Sequence, residues 1–450
     1  MTLEFGTDGI RGVANRELTP ELVTALGRVL AHVMGVEQAF VLGRDTRRSG
    51  PMIQAALVAG LCAEGAEVEL AGVIPTPGVA HLAKVRGAPA AMISASHNPY
   101  EDNGIKLFAP GGRKLSAELE RRVEAELREL AMDAPEPGPA GAGVGVDRQM
   151  QNPIDEYVGH VVSALEGRRL DGLKVVLDCG NGAAFRTAPK IFKELGAEIE
   201  VLNAWPDGTN INKDCGSTDT AGLQEAVVAS GAKAGLAFDG DGDRVIAVDE
   251  RGAIVDGDQI LAICALDMNE REALRGSAVV ATVMSNLGLR RCFAAHDIEF
   301  VEVDVGDRNV VDELERRNLA IGGEQSGHII FPDHATGGDG ALTGAMLLDV
   351  VNGTGHSLGL LAGVMQKFPQ VLRNVRVRDR GAIEADTVFW EEARQVDAEL
   401  QPDGRVLVRP SGTEPVVRVM VEAPSVERAE LVADRLVDLV ERASFAPPPG

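Results

Sequence analysis

The sequence predicts an α/β protein with three similar mixed α/β domains and a smaller C-terminal α+β domain. Three times along the chain, an apolar strand rich in β-branched residues leads through a helical stretch and a short break into a second apolar strand. This order is typical of βαβ units, and three such units indicate three domains of one class. One large doubly wound sheet is the alternative, but each unit is followed by its own polar loop, which favours separate domains.

The predicted strands follow the same order in each unit. The first strands lie at 40–45, 175–180 and 279–284, the second at 65–70, 196–201 and 294–301, and a third at 91–93, 236–238 and 319–321. After the third strands come the polar loops SASHNP (94–99), DGDGDR (239–244) and GGEQSGH (322–328). Ligands of α/β sheets bind beyond the carboxyl ends of the strands, so we expect the three loops to face a shared cleft.

The C-terminal segment has a different pattern, with strands predicted at 371–377, 405–408 and 416–421 and a helix at 426–443. Residues 132–146 are rich in proline, glycine and alanine, which is typical of a linker. The predicted domains are therefore 1–145, 146–250, 251–367 and 368–450.

Charge and composition exclude several classes of partner. The 450 residues include 44 Lys and Arg against 68 Asp and Glu, a formal net charge of -24. Such a surface repels nucleic acid and anionic membranes, and the chain has no run of about 18 apolar residues that could span a bilayer. Without an apolar leader or paired cysteines, a reduced cytoplasmic location is expected. An anionic substrate would then require a local cluster of arginine and lysine.

Three aspartates alternate with glycine in the second loop, at Asp239, Asp241 and Asp243. Alternating glycines allow the backbone to curl so that the carboxylates converge, and converging carboxylates repel one another unless a cation lies among them. Ligation by oxygen alone favours Mg²⁺, Mn²⁺ or Ca²⁺. An EF-hand is excluded because Arg244 stands where that loop requires glycine. An acidic turn in solvent remains the alternative.

Ser96 is the candidate nucleophile of the first loop. The chain has no G-x-S-x-G elbow, which argues against a hydrolase. His97 adjoins Ser96, but neighbouring side chains rarely face each other, so the two do not by themselves form a dyad. A phosphorylated serine would carry about -1.5 to -2 charges and would be a natural ligand for a metal at the aspartate loop. The alternative is an ordinary turn residue before Asn-Pro.

A phosphate site is predicted in the turn RPSGTEP (409–415) and the strand after it. Two guanidinium groups, two hydroxyls and a backbone N–H suit a phosphate, and an ordinary hairpin turn is the alternative. The residues that supply these groups are Arg409, Ser411, Gly412, Thr413 and Arg418.

Two further loops carry weaker signals. Glu324 and Ser326, two residues apart in the third loop, could both bind sugar hydroxyls. A glycine-rich loop near the N-terminus carries Arg11, and a plain turn is an almost equal alternative there. The chain has no G-x-x-x-x-G-K-[ST] motif, which excludes a P-loop nucleotide enzyme.

As an ordered set over nearly the full chain, FGTDGIRG, SASHNP, DGDGDR, GGEQSGH and RPSGTEP resemble the motifs of the α-D-phosphohexomutase superfamily. The resemblance implies four domains around a central cleft, the first three sharing one α/β core. It also implies Mg²⁺ as cofactor, a small phosphosugar as substrate, and a hexose 1,6-bisphosphate as the activator that phosphorylates Ser96.

The resemblance also implies roles for the candidate residues. Ser96 resembles the phosphorylated serine, whose phosphate would complete a metal site of Asp239, Asp241 and Asp243. Arg11, Lys106 and His328 resemble residues near the reacting phosphate, Arg244 lies beside the metal loop, and Lys106 and His97 are both candidates for the general base. Glu324 and Ser326 resemble sugar contacts, and the residues from Arg409 to Arg418 resemble a clamp for the phosphate that does not react.

The identity of the substrate's sugar is predicted from the exact sequences of three segments. FGTDGIRGVAN, GGEQSGHII and QKFPQVLRNVRV are most similar to members that act on amino sugars. We therefore expect interconversion of glucosamine 6-phosphate and glucosamine 1-phosphate through glucosamine 1,6-bisphosphate. A phosphomannomutase or phosphoglucomutase is the alternative within the superfamily, and a phosphosugar-binding protein without catalysis is the alternative outside it. The oligomeric state is left open, with a homodimer as one alternative.

Overall fold

The computed structural model describes residues 9–130, 137–378, 380–410 and 416–445. Ser411, Gly412 and Thr413 of the predicted phosphate turn lie outside the described residues, as does the first part of the predicted linker. The chain divides into two compact units, Met1–Met284 with Ile298–Val364, and Ser285–Asp297 with Met365–Gly450. Within the described helices, none combines the length and the apolar character that crossing a membrane requires.

The first sheet of the larger unit is formed and covered by residues 10–149. Its elements are β1 (Ile10–Val13), α1 (Pro20–Met34), β2 (Phe40–Arg44), α2 (Gly50–Ala63), β3 (Val68–Val73), α3 (Thr76–Arg86), β4 (Ala90–Ile93), β5 (Asp102–Phe108), α4 (Ala117–Leu130) and β6 (Asp147–Gln149). The strand order is β1-β5-β4-β2-β3-β6. The four neighbouring strands β4, β2, β3 and β6 are parallel to one another. Strand β5 is antiparallel to both of its neighbours, β1 and β4.

The second sheet has five strands in the order β11-β10-β9-β7-β8. Its elements are α5 (Pro153–Ser163), β7 (Lys174–Asp178), α6 (Thr187–Glu194), β8 (Glu198–Leu202), α7 (Ala221–Ser230), β9 (Ala234–Phe238), β10 (Val245–Asp249) and β11 (Ile254–Val255). The strands β8, β7 and β9 are parallel, and β10 returns antiparallel to β9.

The third sheet has four strands in the order β13-β12-β14-β15. The elements of this stretch of chain are α8 (Gly257–Glu270), β12 (Ala278–Thr282), α9 (Leu287–Ala294), β13 (Glu299–Val303), α10 (Asp307–Arg317), β14 (Gly322–Gly323), β15 (Ile329–Ile330), α11 (Gly340–Thr354) and α12 (Leu358–Ala362). Helix α9 belongs to the smaller unit.

The three sheets share one core topology. The orders β3-β2-β4-β5, β8-β7-β9-β10 and β13-β12-β14-β15 each contain three parallel strands and a fourth that returns antiparallel to the third. The central strands β4, β9 and β12 are buried along their whole length, which explains their continuous apolar sequences. The predicted fold class is confirmed.

The smaller unit contains an antiparallel sheet in the order β16-β18-β17. Its remaining elements are β16 (Gln370–Arg376), α13 (Arg380–Ala385), α14 (Thr387–Leu400), β17 (Arg405–Pro410), β18 (Val416–Glu422) and α15 (Val426–Phe445). Val417, Val419 and Val421 alternate along β18 and pack in one core with Leu436 and Val440 of α15. This α+β arrangement follows from the period of two in the strand and the apolar face of the helix.

Two predicted strands are displaced in the third sheet. The strand predicted from residue 294 begins at Glu299, because Ala294 is still the last residue of α9. The strand predicted at 319–321 lies at 322–323, where the tight hairpin to β15 sets the ladder through Gly322–Ile330 and Gly323–Ile329 pairs.

The boundaries of the four domains stay a prediction. Strand β6 adds residues 147–149 to the first sheet, beyond the predicted boundary at 145. Strand β11 adds residues 254–255 to the second sheet, beyond the predicted boundary at 250.

Helices α1 and α2 pack with their backbones in contact at a pair of glycines. A Cβ atom on Gly27 would lie 2.5 Å from the carbonyl oxygen of Leu57, and one on Gly60 would lie 2.1 Å from that of Thr24. Overpacking a close contact of this kind costs about 1–3 kcal/mol. Gly159, in the interior of α5, has no atom within 4 Å of the same position.

We therefore expect Gly60→Ala to lower the free energy of unfolding by about 1–3 kcal/mol and Gly159→Ala to raise it by about 0.5–1 kcal/mol through helix propensity. Chemical denaturation of both variants measures the two effects. Equal effects of the two substitutions would contradict the proposed backbone contact.

Candidate active site

The polar loops of the three similar sheets occupy equivalent positions. Each one connects the third parallel strand to the antiparallel fourth strand: β4 to β5, β9 to β10, and β14 to β15. The loops therefore extend from the carboxyl ends of buried strands, where α/β sheets place their ligands. The first two loops meet, since Ser96 Oγ donates a hydrogen bond of 2.6 Å to Asp239 Oδ2.

Ser96 is almost completely buried and has an uncommon backbone conformation. Its exposed fraction is 1%, and its φ is +53°. With this backbone conformation, His97 Nδ1 lies 3.4 Å from Ser96 Oγ. The two neighbouring side chains are therefore closer to each other than we expected from the sequence. The serine hydroxyl therefore faces both a carboxylate and an imidazole.

The three aspartates converge as predicted. Ligand atoms of Asp239, Asp241 and Asp243 all lie within 4.8 Å of one another, and all three side chains are buried. Lys106, on β5, donates to Asp241 Oδ2 at 2.6 Å and to Asp243 Oδ2 at 3.0 Å. Thr76 also donates to Asp241 Oδ2.

The second oxygens of two aspartates suit a cation. Asp241 Oδ1 and Asp243 Oδ1 are buried, and no hydrogen-bond partner for them is found among the described residues. Buried carboxylate oxygens in this state are costly, and an oxygen-only donor set suits a hard divalent cation. The residues therefore fit the predicted metal site.

The surroundings shift the pKa values of the three aspartates in different directions. Burial and repulsion from Asp243 and Asp241 raise the pKa of Asp239 well above its usual range. Burial also opposes ionisation of the other two, but the ammonium group of Lys106 holds the pKa of Asp241 below its usual range and that of Asp243 well below it. Lys106 therefore acts as a counter-charge for two of the three carboxylates.

Cationic and imidazole groups border the aspartate loop. Arg244 Nη1 lies 3.4 Å from His97 Nδ1. Because an arginine can only donate, a hydrogen bond between these two atoms requires the unprotonated form of this histidine nitrogen. Burial, with the charges of Arg244 and Arg11, lowers the pKa of His97, which favours the neutral ring. Arg11 itself lies on β1, paired with Gly104 of β5.

His328 lies on the other flank of the metal site. Its Nδ1 is 3.8 Å from Asp243 Oδ1, and its Nε2 accepts the Gly338 N–H at 3.1 Å. A cavity of about 450 Å³ is lined by Thr76, Asp243 and His328, among other residues. The predicted third-loop residue is therefore in contact with the metal site.

The structure shows less about the two candidate sugar contacts, Glu324 and Ser326. Glu324 is half-buried, and its Oε1 accepts the N–H of Gly306 at 3.2 Å. Ser326 is exposed. Their role in binding sugar hydroxyls stays a prediction.

Two predicted phosphate ligands are neighbours in the smaller unit. Arg409 of β17 and Arg418 of β18 are directly paired in register, and Arg418 also pairs with Asn374 of β16. Residues paired directly across strands have Cβ atoms about 4.5–5.5 Å apart, and like charges in that position are destabilising. An anion bound there would remove the repulsion, which favours the predicted phosphate site.

Sequence reasoning missed three polar residues that hold the site together. Arg47 and Asn212 both donate to the carbonyl oxygen of Ser96, at 2.8 and 2.9 Å, and Thr76 holds Asp241. The only sequence signal for Arg47 was its position just after the strand predicted at 40–45, at the carboxyl end where sites gather. The sequence contains no comparable signal for Thr76 or Asn212.

Comparison with known proteins assigns the family. Four models of the phosphoglucomutase/phosphomannomutase family match in order: alpha/beta/alpha domain I at residues 2–133, domain II at 155–252, domain III at 256–368, and the C-terminal domain at 372–439. A phosphoglucosamine mutase of Streptomyces avermitilis is 52% identical over 98% of this chain and 99% of its own length. The chain belongs to the phosphoglucosamine mutases of the phosphohexomutase superfamily. A second member, from Desulforamulus reducens, is 49% identical over 97% of this chain and 98% of its own.

Solved structures have the same architecture. A phosphoglucomutase/phosphomannomutase family protein from Burkholderia thailandensis has a TM-score of 0.83 at 27% identity, covering 99% of both chains. The Aspergillus fumigatus N-acetylphosphoglucosamine mutase, solved with GlcNAc-6P and magnesium, has a TM-score of 0.73 at 18% identity, covering 99% of this chain and 96% of its own. The superfamily and the phosphosugar mutase activity predicted from the sequence are confirmed.

Metal binding at the aspartate loop has a test that does not depend on turnover. A divalent cation that binds only the folded state stabilises it by about 2.7 kcal/mol at 100 times its Kd. We expect Mg²⁺ to raise the Tm of metal-free wild-type protein and to have little effect on Asp241→Asn, which loses one ligand charge. Asp171, an exposed aspartate on the surface, provides the control Asp171→Asn, which should respond like wild type. An equal shift in Asp241→Asn would contradict the metal site.

Proposed function

We propose that this protein interconverts glucosamine 6-phosphate and glucosamine 1-phosphate through a phosphorylated Ser96, with Mg²⁺ held by Asp239, Asp241 and Asp243. The observation that carries the proposal is the hydrogen bond of 2.6 Å between the buried Ser96 hydroxyl and Asp239, at the edge of a three-carboxylate site. The curated relatives that match nearly the full chain support the choice of sugar.

The reaction consists of two phosphoryl transfers in opposite directions. In the first, the bond between phosphorus and Ser96 Oγ breaks, a bond to the free sugar hydroxyl forms, and the proton of that hydroxyl is released as Oγ gains one. The product is glucosamine 1,6-bisphosphate, which reorients in the site. In the second, its other phosphoryl group moves back to Ser96, and the proton of the serine hydroxyl passes to the sugar oxygen that is released.

A bound Mg²⁺ would offset the negative charge that spreads over the phosphoryl oxygens during transfer. Lys106 favours the ionised forms of Asp241 and Asp243 for this purpose, since it donates to both of these carboxylates. Both contacts of the buried lysine are charge-assisted hydrogen bonds to carboxylates. We therefore assign Lys106 a charge-balancing role and not that of general base.

His97 is better suited to handle the proton at Ser96. Its Nδ1 lies 3.4 Å from Ser96 Oγ, and burial and the charge of Arg244 lower its pKa, which favours the neutral ring. A neutral imidazole in reach of the nucleophile can accept a proton when Oγ attacks and return it when Oγ leaves. Arg11, Arg244 and His328 are proposed to face the reacting phosphate.

The second phosphate of the substrate needs an anchor. We assign this role to Arg409 and Arg418, with Ser411, Gly412 and Thr413 of the turn between their strands. The direct pairing of the two arginines supports a dianionic ligand. Glu324 and Ser326 are proposed to contact sugar hydroxyls, and a hexose 1,6-bisphosphate such as glucosamine 1,6-bisphosphate is proposed to phosphorylate Ser96 before the first turnover.

Ser96→Ala should abolish mutase activity and leave the fold intact, because it removes the acceptor oxygen without opening an apolar core. The intact mass of wild-type protein should include a species heavier by one phosphoryl group, and the variant should lack it. Ser163→Ala, at the exposed end of α5, is the control and should keep both the activity and the heavier species. Turnover by Ser96→Ala would exclude the phosphoserine route.

Substrate choice is tested by kcat/KM on glucosamine 1-phosphate, glucose 1-phosphate and mannose 1-phosphate. We expect the glucosamine compound to be turned over best. Its C2 amine is largely cationic at neutral pH, and a protein of net charge -24 attracts it more than a neutral hydroxyl. If mannose 1-phosphate gives the highest kcat/KM, the proposed sugar is wrong, while the mechanism through Ser96 is retained.

A further inference from the structure

Arg47 is a fully buried arginine, and all of its side-chain N–H groups donate hydrogen bonds to residues around Ser96. Its exposed fraction is 0%. Its Nε donates to Asp45 at 2.8 Å, and its two terminal nitrogens donate to four backbone carbonyls of the first loop and the start of β5, those of Ser96, Asn98, Pro99 and Asp102. A guanidinium group has five N–H donors, and all five have acceptors here.

The contacts form a closed ring on both sides of Ser96. The Ser96 N–H donates to Ser94 Oγ at 2.9 Å, and Ser94 Oγ donates to Asp45 Oδ2 at 2.5 Å. Arg47 Nε donates to the same carboxylate oxygen, and Arg47 Nη2 donates to the Ser96 carbonyl at 2.8 Å. Asn212 donates to that carbonyl from the second α/β domain, at 2.9 Å. The backbone of Ser96 is therefore fixed at its N–H and at its C=O.

The ring explains how Ser96 keeps an unfavourable conformation. A φ of +53° is uncommon for a residue with a Cβ. Such conformations persist only where the surroundings over-determine them, and they concentrate at functional sites. In this conformation the Ser96 side chain reaches Asp239 and the metal site.

We propose that Arg47 is a positioning residue for phosphoryl transfer, which holds Ser96 in its left-handed conformation so that Oγ faces the aspartate loop. The inference rests on the proposed function of Ser96, and Arg47 itself touches no reacting atom. A lysine at this position could still pair with Asp45, but its three donors on a single nitrogen cannot span the four carbonyls.

The test separates positioning from folding by following phosphorylation of Ser96 directly. Metal-loaded, dephosphorylated full-length enzyme is mixed with glucose 1,6-bisphosphate, and its intact mass is followed over time. In this step a phosphorus–oxygen bond of the bisphosphate breaks, a bond to Ser96 Oγ forms, and the serine proton passes to the released sugar oxygen. The amplitude reports the fraction of competent protein, and the rate constant reports the placement of Oγ.

For Arg47→Lys we expect full amplitude and a rate constant lowered about 10²-fold, the effect of a displacement of about 1 Å in a reacting atom. In steady state, kcat should fall while KM for glucosamine 6-phosphate is unchanged. The matched control is Arg86→Lys, since Arg86 is also paired with carboxylates, those of Glu69 and Glu156. Among the described residues, no hydrogen bond or ion pair joins Arg86 to the Ser96 loop. The control variant should behave as wild type in amplitude and rate constant.

A wild-type rate constant in Arg47→Lys, with or without reduced amplitude, would overturn the proposal, because it would assign Arg47 to folding alone. If Arg47→Lys does not fold, Arg47→Gln is measured in the same way, since its amide has two N–H donors for the four carbonyls. An unchanged rate constant in that variant overturns the proposal equally. If wild-type protein gains no phosphoryl mass, the proposed function of Ser96 fails, and the inference fails with it.

Discussion

Three carboxylates buried within 4.8 Å of one another are the constraint to which the rest of the site responds. Burying one ion costs several kcal/mol unless it is paired and hydrogen-bonded, and the mutual repulsion of three adds to that cost. Lys106 and Thr76 compensate part of it, as does the Arg244 N–H, which donates to Asp239. The compensation is incomplete, since Asp241 Oδ1 and Asp243 Oδ1 are without a hydrogen-bond partner among the described residues. The site is therefore stable enough to form and still favours the arrival of a cation.

The shared topology of the sheets supplies the rigidity that this arrangement needs. A hairpin after the third parallel strand places each polar loop at a carboxyl end, and both of its strands are held by ladder hydrogen bonds. The first two loops then pack backbone against backbone, because a Cβ on Gly240 would lie 2.4 Å from the Ser96 carbonyl oxygen. Gly240 thus permits the close approach of Ser96 in addition to its predicted role in the convergence of the carboxylates. The contact with Ser96 could not be predicted from the spacing of the glycines in the sequence.

How much the sequence could predict follows from where each signal lies. The aspartates and Ser96 stand in short motifs after apolar strands, so local pattern predicted the fold class and marked these residues as candidates. Their roles were implied by the resemblance of the ordered motifs to a known superfamily. Arg47, Asn212 and Thr76 act across 49, 116 and 165 residues of sequence. In the stretch GRDTRR (43–48), only burial distinguishes Arg47 from Arg44 and Arg48, and burial is a property of the assembled fold. The displaced strands at 299–303 and 322–323 also depend on the assembled fold. Their positions are set by the length of the preceding helix and by hairpin pairing, and not by the apolar residues of the local sequence.

The two proposed binding sites, one for the metal ion and one for the second phosphate, carry excess charges of opposite sign. The site around Asp239 has excess negative charge and needs a cation, whereas Arg409 and Arg418 lie opposite each other and need an anion. In a protein of net charge -24, the long-range field disfavours a phosphate, but that field is screened beyond about 8 Å at physiological salt. Recognition must therefore come from contacts at short range. A cation at the aspartate loop and an anion at Arg409 and Arg418 would each replace repulsion between like charges with attraction to the ligand. This makes the bound state the better-compensated one, and it explains why an acidic protein can use an anionic substrate.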